Sequence, residues 1–220
     1  MSHWQQMKFV EELKQEFPGY FESTKVLEIG SLDINGSIRP FFKDADYTGI
    51  DIADGPGVDV VCQGQEFRSP LGGFDVVISC EAMEHNPHWR ATFQNMINLT
   101  RPGGLLIMTC ATSGRPEHGT RASEPQSSPL TVASDWDYYE NRVAADFASL
   151  YGAEAFSTFQ FFVRRDCSDL YFIGFRAGLP PPSRARASLT KLRFKYAMRA
   201  AATVRVIDRA LSGFRRRPLG

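Results

Sequence analysis

Trp4, Met7, Val10, Leu13 and Phe17 recur at intervals of three and four residues, which places them on one face of a helix that Pro18-Gly19 stops. Beyond that break the pattern shortens. "KVLEIG", "DYTGIDIA", "GVDVVCQG", "FDVVISCEAMEH" and "GGLLIMTCAT" are short apolar or β-branched runs, each bounded by Gly, Pro or Asp, and they read as five strands. Between the last two, Asn86 caps and Pro87 begins a helix whose Trp89, Phe93, Met96 and Ile97 share one face. Strands that are apolar on both faces and alternate with helices belong to a parallel sheet covered on both sides.

Two later runs, "EAFSTFQFFVRR" and "DLYFIGFRAG", are joined by the short turn "DCS". So short a link permits only an antiparallel hairpin, because a parallel pair needs a crossover. Between strand five and the hairpin lies a long segment whose first half is too polar and proline-rich for a helix. Its second half carries a helical stripe of Tyr139, Val143, Phe147 and Leu150 to Tyr151. A long loop at the carboxyl end of a strand is usually functional.

A chain of 220 residues, 43% of them hydrophobic, buries its core as one domain of ordinary size. Its first residues are too polar for a signal peptide and it lacks an apolar run of membrane-spanning length, so a cytoplasmic protein is expected. The four cysteines, Cys62, Cys80, Cys110 and Cys167, are far apart without a C-x-x-C pair, and are expected as reduced thiols.

The formal net charge of zero conceals an asymmetry. From Ser183 onward there are 11 Lys/Arg against Asp208 alone, a balance of +10, which leaves −10 on the rest. In this tail, after "GLPPPS", residues Leu189, Leu192, Tyr196, Ala200, Thr203, Ile207, Leu211 and Phe214 form one helical stripe among basic residues. Residues 1–182 are therefore expected as the main domain and 183–220 as an amphipathic basic helix. Such a helix can lie on an anionic membrane surface, with the protein peripheral at the inner membrane face, grip nucleic acid, pack onto the acidic body of its own or a neighbouring chain as in a homodimer, or stay solvated without a partner; the membrane surface and self-packing or dimerisation are the partnered readings expected.

The chemistry concentrates behind the first strand. Gly30 ends it as in a nucleotide-binding strand, but Ser31, Leu32 and Asp33 follow and the next glycine is Gly36, so the dinucleotide pattern G-x-G-x-x-G is missing. Asp51 ends strand two, 21 residues after Gly30, where a carboxylate accepts two hydrogen bonds from a ribose diol. Asn35-Gly36 supplies a turn, and Ser37 is placed to cap a following helix.

"VLEIGS", "YTGIDI", "FDVVISCEAMEH" and "RPGGLLIMT", in this order from Val26 to Thr109, resemble the class I S-adenosylmethionine-dependent methyltransferases, in particular the small type-11-like group. The hairpin extends the match to about Gly178. The resemblance implies a Rossmann-like, doubly wound α/β sheet of seven strands in the order 3-2-1-4-5-7-6, strand seven antiparallel, with helices on both faces and the basic C-terminal helix as an addition. S-adenosylmethionine is the implied cofactor; it carries no pyrophosphate, which accounts for the missing glycines. By the same resemblance Gly30 and Ser31 approach the cofactor, Glu28 orients its methionine part, Ile52 packs on adenine, Gln63 faces the adenine edge, and Ser79 and Cys80 line the pocket near the sulfonium.

His85, His88 and His118 lie in loops beside this region. His118, in "GRPEHGT" directly after strand five, is the candidate base, with Arg115 and Glu117 as candidate acceptor-binding residues. His85 is the weaker candidate, read as cofactor wall, and His88 is read as a surface residue. Glu81, Glu84, His85 and His118 lack a fixed ligand spacing, so no metal is expected. The expected reaction is methyl transfer to a small-molecule or glycan acceptor, on oxygen. The alternatives are a non-catalytic scaffold of the same fold and a nicotinamide oxidoreductase, the latter opposed by the missing glycines. The acidic main body would repel a phosphate backbone, so nucleic acid is not expected as a partner.

Overall fold

The computed structural model describes residues 4–69 and 73–197. Its seven strands are β1 (Lys25–Ile29), β2 (Asp46–Asp51), β3 (Val60–Val61), β4 (Phe74–Cys80), β5 (Thr100–Ala111), β6 (Phe156–Arg164) and β7 (Asp169–Arg176). They form one sheet in the order β3-β2-β1-β4-β5-β7-β6. All neighbours from β3 to β5 are parallel, and β7 runs antiparallel to both β5 and β6.

The continuous apolar runs follow from cover on both sides. Successive residues of a strand point to opposite faces, so Val26, Val76, Ile78, Leu105 and Ile107 enter one apolar layer while Leu27, Ile29, Val77, Leu106 and Met108 enter the other. Helix α1 (Trp4–Glu16) covers the first face with Phe9, Val10 and Leu13. Helix α2 (Trp89–Leu99) covers the second with Trp89, Phe93 and Met96. Asn86 Oδ1 accepts the His88 amide at 2.7 Å, just ahead of that helix.

Three local expectations differ from the structure. Where Ser37 is placed to cap an α-helix, its hydroxyl accepts the Arg39 amide at 3.1 Å and only a single 3₁₀ turn, Arg39–Phe41, follows. The proline at position 40 has no amide to continue a helix. The polar half of the long loop does contain a short helix, α3 (Pro129–Ala133), with proline in its first turn. The stripe from Tyr139 is helical only over α4 (Ala144–Ala148). Residues before it are held extended, because Glu140 N donates to Glu84 O and Arg142 N donates to Ala111 O, both at 2.9 Å.

The basic segment begins as a helix, α5, described over residues 185–197. Ala185, Leu189, Leu192 and Tyr196 are buried in the same layer as α1. Its polar contacts go to two glutamates of α1: Ser188 Oγ donates to Glu16 at 2.8 Å, Tyr196 Oη to Glu12 at 2.8 Å, and Lys195 pairs with Glu12 at 2.8 Å. The start of the stripe thus faces the chain's own acidic helix. Its later members, from Ala200 to Phe214, lie outside the described residues. Among the described residues no helix is long and apolar enough to cross a membrane, and all four cysteines are free, Cys80 and Cys110 buried and Cys62 and Cys167 half-buried.

Candidate active site

The carboxyl ends of β1, β2 and β4 open onto a cleft lined by Ile29, Gly30, Leu32, Ile34, Ile50, Asp51, Ile52, Cys62, Gly64, Glu81, Ala82, His85 and Asn86. Ser127 to Thr131 and Trp136, from the long loop, complete its wall. Gly30 has φ of 81°, and a Cβ there would lie 2.7 Å from Ala82 Cβ. The β1 and β4 loops therefore meet at a point only glycine tolerates. Asp51 accepts the Leu32 amide at 3.0 Å and the Ile52 amide at 2.8 Å. Burial raises its carboxyl above the usual range, and these two amide bonds pull the other way.

Gly30, Asp51 and Ile52 are thus brought together, whereas Glu28, Ser31, Gln63, Ser79 and Cys80 are not among the residues that line the cleft. Strand alternation explains Glu28, which falls on the α1 side with Val26. It is buried, accepts Tyr47 Oη at 2.8 Å, and burial pushes its pKa up to about 7. Ser31 is buried with its Oγ turned toward β2, 2.8 Å from where a Cβ on Gly49 would stand. Ser79 Oγ donates to Ile29 O at 2.8 Å, tying β4 to β1 inside the sheet. Cys80 points into the α1 layer, and burial pushes its thiol up to about 12. Gln63 accepts from Gln65 Nε2 at 2.6 Å, while its neighbours Cys62 and Gly64 line the cleft. The lining residues that sequence reasoning overlooked include Leu32 and Ile34, whose signal was apolar character inside an otherwise polar loop.

A second cavity of about 330 Å³ is lined by Gln5, Asn35, Glu81, His85, Arg115, Pro116, Glu117, His118, Glu124 and Ser127. Glu81, His85 and Ser127 line both spaces. The "GRPEHGT" loop therefore stands across a shared wall from the cleft. Arg115 donates to Cys167 O at 2.8 Å and pairs with the buried Asp169 at 3.1 Å, which fastens the loop to β7. Burial, with Glu81 next, pushes Asp169 up to about 7, and Gln6 Nε2 donates to it at 2.9 Å. Glu117 accepts Thr120 Oγ1 at 2.6 Å.

His118 Nδ1 lies 3.1 Å from Pro116 O. A carbonyl only accepts, so in the neutral ring Nδ1 carries the proton and Nε2 the lone pair. The His118 and His85 rings stand edge to face with centroids 5.0 Å apart, and Tyr139 lies 4.9 Å from His118 and 5.4 Å from His85. Burial pushes the His85 imidazole down to about 3, so it is neutral at physiological pH. Glu84, wholly buried beside it, has its carboxyl pushed well up by burial and by Glu81. His88 is exposed and stacks edge-on against Trp136 at 5.5 Å.

A family model described as a methyltransferase domain matches residues 1–158. The chain belongs to this family. It is a class I S-adenosylmethionine-dependent methyltransferase, with S-adenosylmethionine as its cofactor. Among solved structures, a Burkholderia thailandensis 1,6-didemethyltoxoflavin-N1-methyltransferase with S-adenosylhomocysteine bound is similar at 16% identity and a TM-score of 0.54, over 78% of each chain. A Haemonchus contortus phosphoethanolamine N-methyltransferase with S-adenosyl-L-methionine is similar at 14% identity and a TM-score of 0.55, over 79% of this chain and 53% of that one. The N-methyltransferase NodS from Bradyrhizobium japonicum is similar at 13% identity and a TM-score of 0.50, over 79% and 95%. At such identities these likenesses speak for the fold alone. No curated protein matches the chain.

Proposed function

We propose that this methyltransferase acts on a hydroxyl of a small polar, glycan-like acceptor held in the second cavity. The observation that carries this reading is the wall of Glu81, His85 and Ser127 shared by the two spaces. A donor in the cleft and an acceptor in the cavity would meet across it. The cleft suits the cofactor: Gly30 lets a ligand approach the backbone as no other residue would, and Asp51 closes β2 with a carboxylate whose oxygens each keep a lone pair beyond their amide bonds. In this reading Asp51 accepts from the ribose and Ile52 packs on the adenine.

The cofactor supplies an electrophilic methyl group on a sulfonium. The chain supplies position and a place for the proton. Arg115 and Glu117 hold the acceptor, and the Nε2 lone pair of His118 takes its hydroxyl proton. Alignment of the reacting atoms carries much of the remaining rate. The cavity's ring of carboxylates, imidazoles, amides and one guanidinium suits a polyhydroxylated molecule better than a flat apolar one.

The test is a panel of sugars, nucleotide-sugars, phenols and amines incubated with the full chain and methyl-labelled S-adenosylmethionine. Label is expected on hydroxyls of the sugar-containing compounds. Label confined to amine nitrogen would overturn the oxygen assignment, and label confined to phenols the glycan one.

A further inference from the structure

Glu84 has no task in the transfer reading, yet its placement is costly. Its carboxylate is wholly buried and neither oxygen meets a donor at hydrogen-bond geometry, although the backbone amides of Glu84 itself and Ala111 lie nearby. A buried carboxylate left in this state is unfavourable unless something of opposite charge or a proton compensates it. His85 Nδ1 is also buried without a hydrogen-bond partner. One donor atom each from Glu84, His85 and His118 lies within 4.8 Å of the other two. We propose that these three residues form a binding site for a divalent cation of the zinc class, at the junction of the cleft and the acceptor cavity.

Two imidazoles and a carboxylate make the donor set of an open zinc site, in which the fourth position is left for water or substrate. Around a four-coordinate ion with bonds of about 2.0–2.2 Å, neighbouring donor atoms stand about 3.4 Å apart. The trio must therefore draw inward. His118 is the member able to move, since it is half-buried on a surface loop, whereas Glu84 and His85 are fixed in the core. Because Nδ1 of His118 is held by Pro116 O, its donor atom is Nε2. The open position would face the acceptor cavity, which His85 and His118 both line. A second carboxylate stands close by, since Glu81 acts electrostatically on Glu84, and the nearby guanidinium of Arg115 is paired with Asp169 at 3.1 Å.

Binding of the ion does not depend on the proposed reaction, but its effect on turnover does. The ion would take the same Nε2 lone pair that is to receive the acceptor's proton, so the two roles of His118 exclude one another. An occupied site is thus a brake on transfer.

The full chain, stripped with a chelator and titrated calorimetrically with Zn²⁺, is expected to bind one equivalent. Co²⁺ in its place should give the visible absorption of a four-coordinate ion. Glu84→Gln and His118→Ala should each weaken Zn²⁺ binding by about tenfold or more, while His88→Ala, on the exposed side of the same region, should not. No saturable binding, or isotherms unchanged in both ligand variants, would overturn the site. Should Glu84→Gln fail to fold, His118→Ala on its surface loop decides alone. If methyl transfer to an acceptor found with the panel rises with Zn²⁺, the ion site stands and the base role of His118 falls.

Discussion

His85 occupies the space that a side chain at Gly119 would need: a Cβ there would lie 2.7 Å from His85 Cε1 and 2.7 Å from Ser128 Cβ. Gly119 also has φ of 65°, a conformation costing an L-residue roughly 1–2 kcal/mol. Gly119→Ala is therefore expected to displace the His85 ring or the His118 loop. Turnover should fall by about tenfold or more, while S-adenosylhomocysteine affinity, which the proposed reading assigns mainly to the β1 and β2 ends, should change by less than about threefold. Calorimetry beside steady-state kinetics checks this, and equal losses in both would show that the damage reaches the cleft.

Asp51 is expected to matter for cofactor affinity and little for folding. Hydrogen bonds to a charged group contribute roughly 1.5–3 kcal/mol each, so Asp51→Ala should weaken S-adenosylhomocysteine binding by at least about tenfold. Leu32 N and Ile52 N would lose their acceptors as well, and Asp51→Asn, whose single amide oxygen can still accept one of them, removes the charge with less of that local loss. Unchanged affinity in both folded variants would remove Asp51 from the cofactor site.

Removal of the His118 imidazole should separate chemistry from binding. His118→Ala is expected to lower turnover by about 10² or more without change in cofactor affinity. Wild-type turnover in this variant would leave the loop with a binding role only.

Glu28 offers a test against pH. Its folded pKa of about 7 lies above the 4.5 of the free group. Below pH 4.5 both states hold the proton and nothing is lost. As pH rises toward 7 the unfolded chain ionises while the folded one retains the proton, so stability declines, by roughly 3 kcal/mol in all, and levels off above that pH. Glu28→Gln, which can still accept from Tyr47, should lack this decline and so gain on the natural chain between pH 5 and pH 8. Urea unfolding of both proteins at those two values measures it, and parallel losses would assign the pH dependence elsewhere.

The strands and the antiparallel hairpin were legible because they rest on signals that burial reinforces, apolar runs of strand length and a turn too short for a crossover, whereas the order of the strands followed only from the resemblance. The lining of the cleft was only partly legible. Gly30 and Asp51 announce themselves by type and spacing, but whether Glu28 or Ile29 faces the cleft depends on strand parity, and the resemblance names positions without giving their faces. Ser79 was misleading for another reason: its hydroxyl satisfies Ile29 O across the sheet, a long-range pairing invisible along the chain. The extended stretch before α4 shows the same limit, since local periodicity there yields to bonds made with β5 and with Glu84 O. Gly119 went unnoticed, and Glu84 was set aside with Glu81, His85 and His118 for want of a ligand spacing, because the meaning of both lies in what stands next to them in space.

The contacts between α5 and α1 also govern how the chain behaves across ionic strengths. Lys191 reaches Glu16 from an exposed position, whereas Glu12, the partner of Lys195 and Tyr196, is almost wholly covered. Dissolved ions screen the first kind of contact readily and the second poorly, and they do nothing to loosen Leu189 and Leu192 from the layer beneath. The described part of the basic segment, residues 185–197, therefore stays docked on α1 in dilute buffer and in concentrated brine alike.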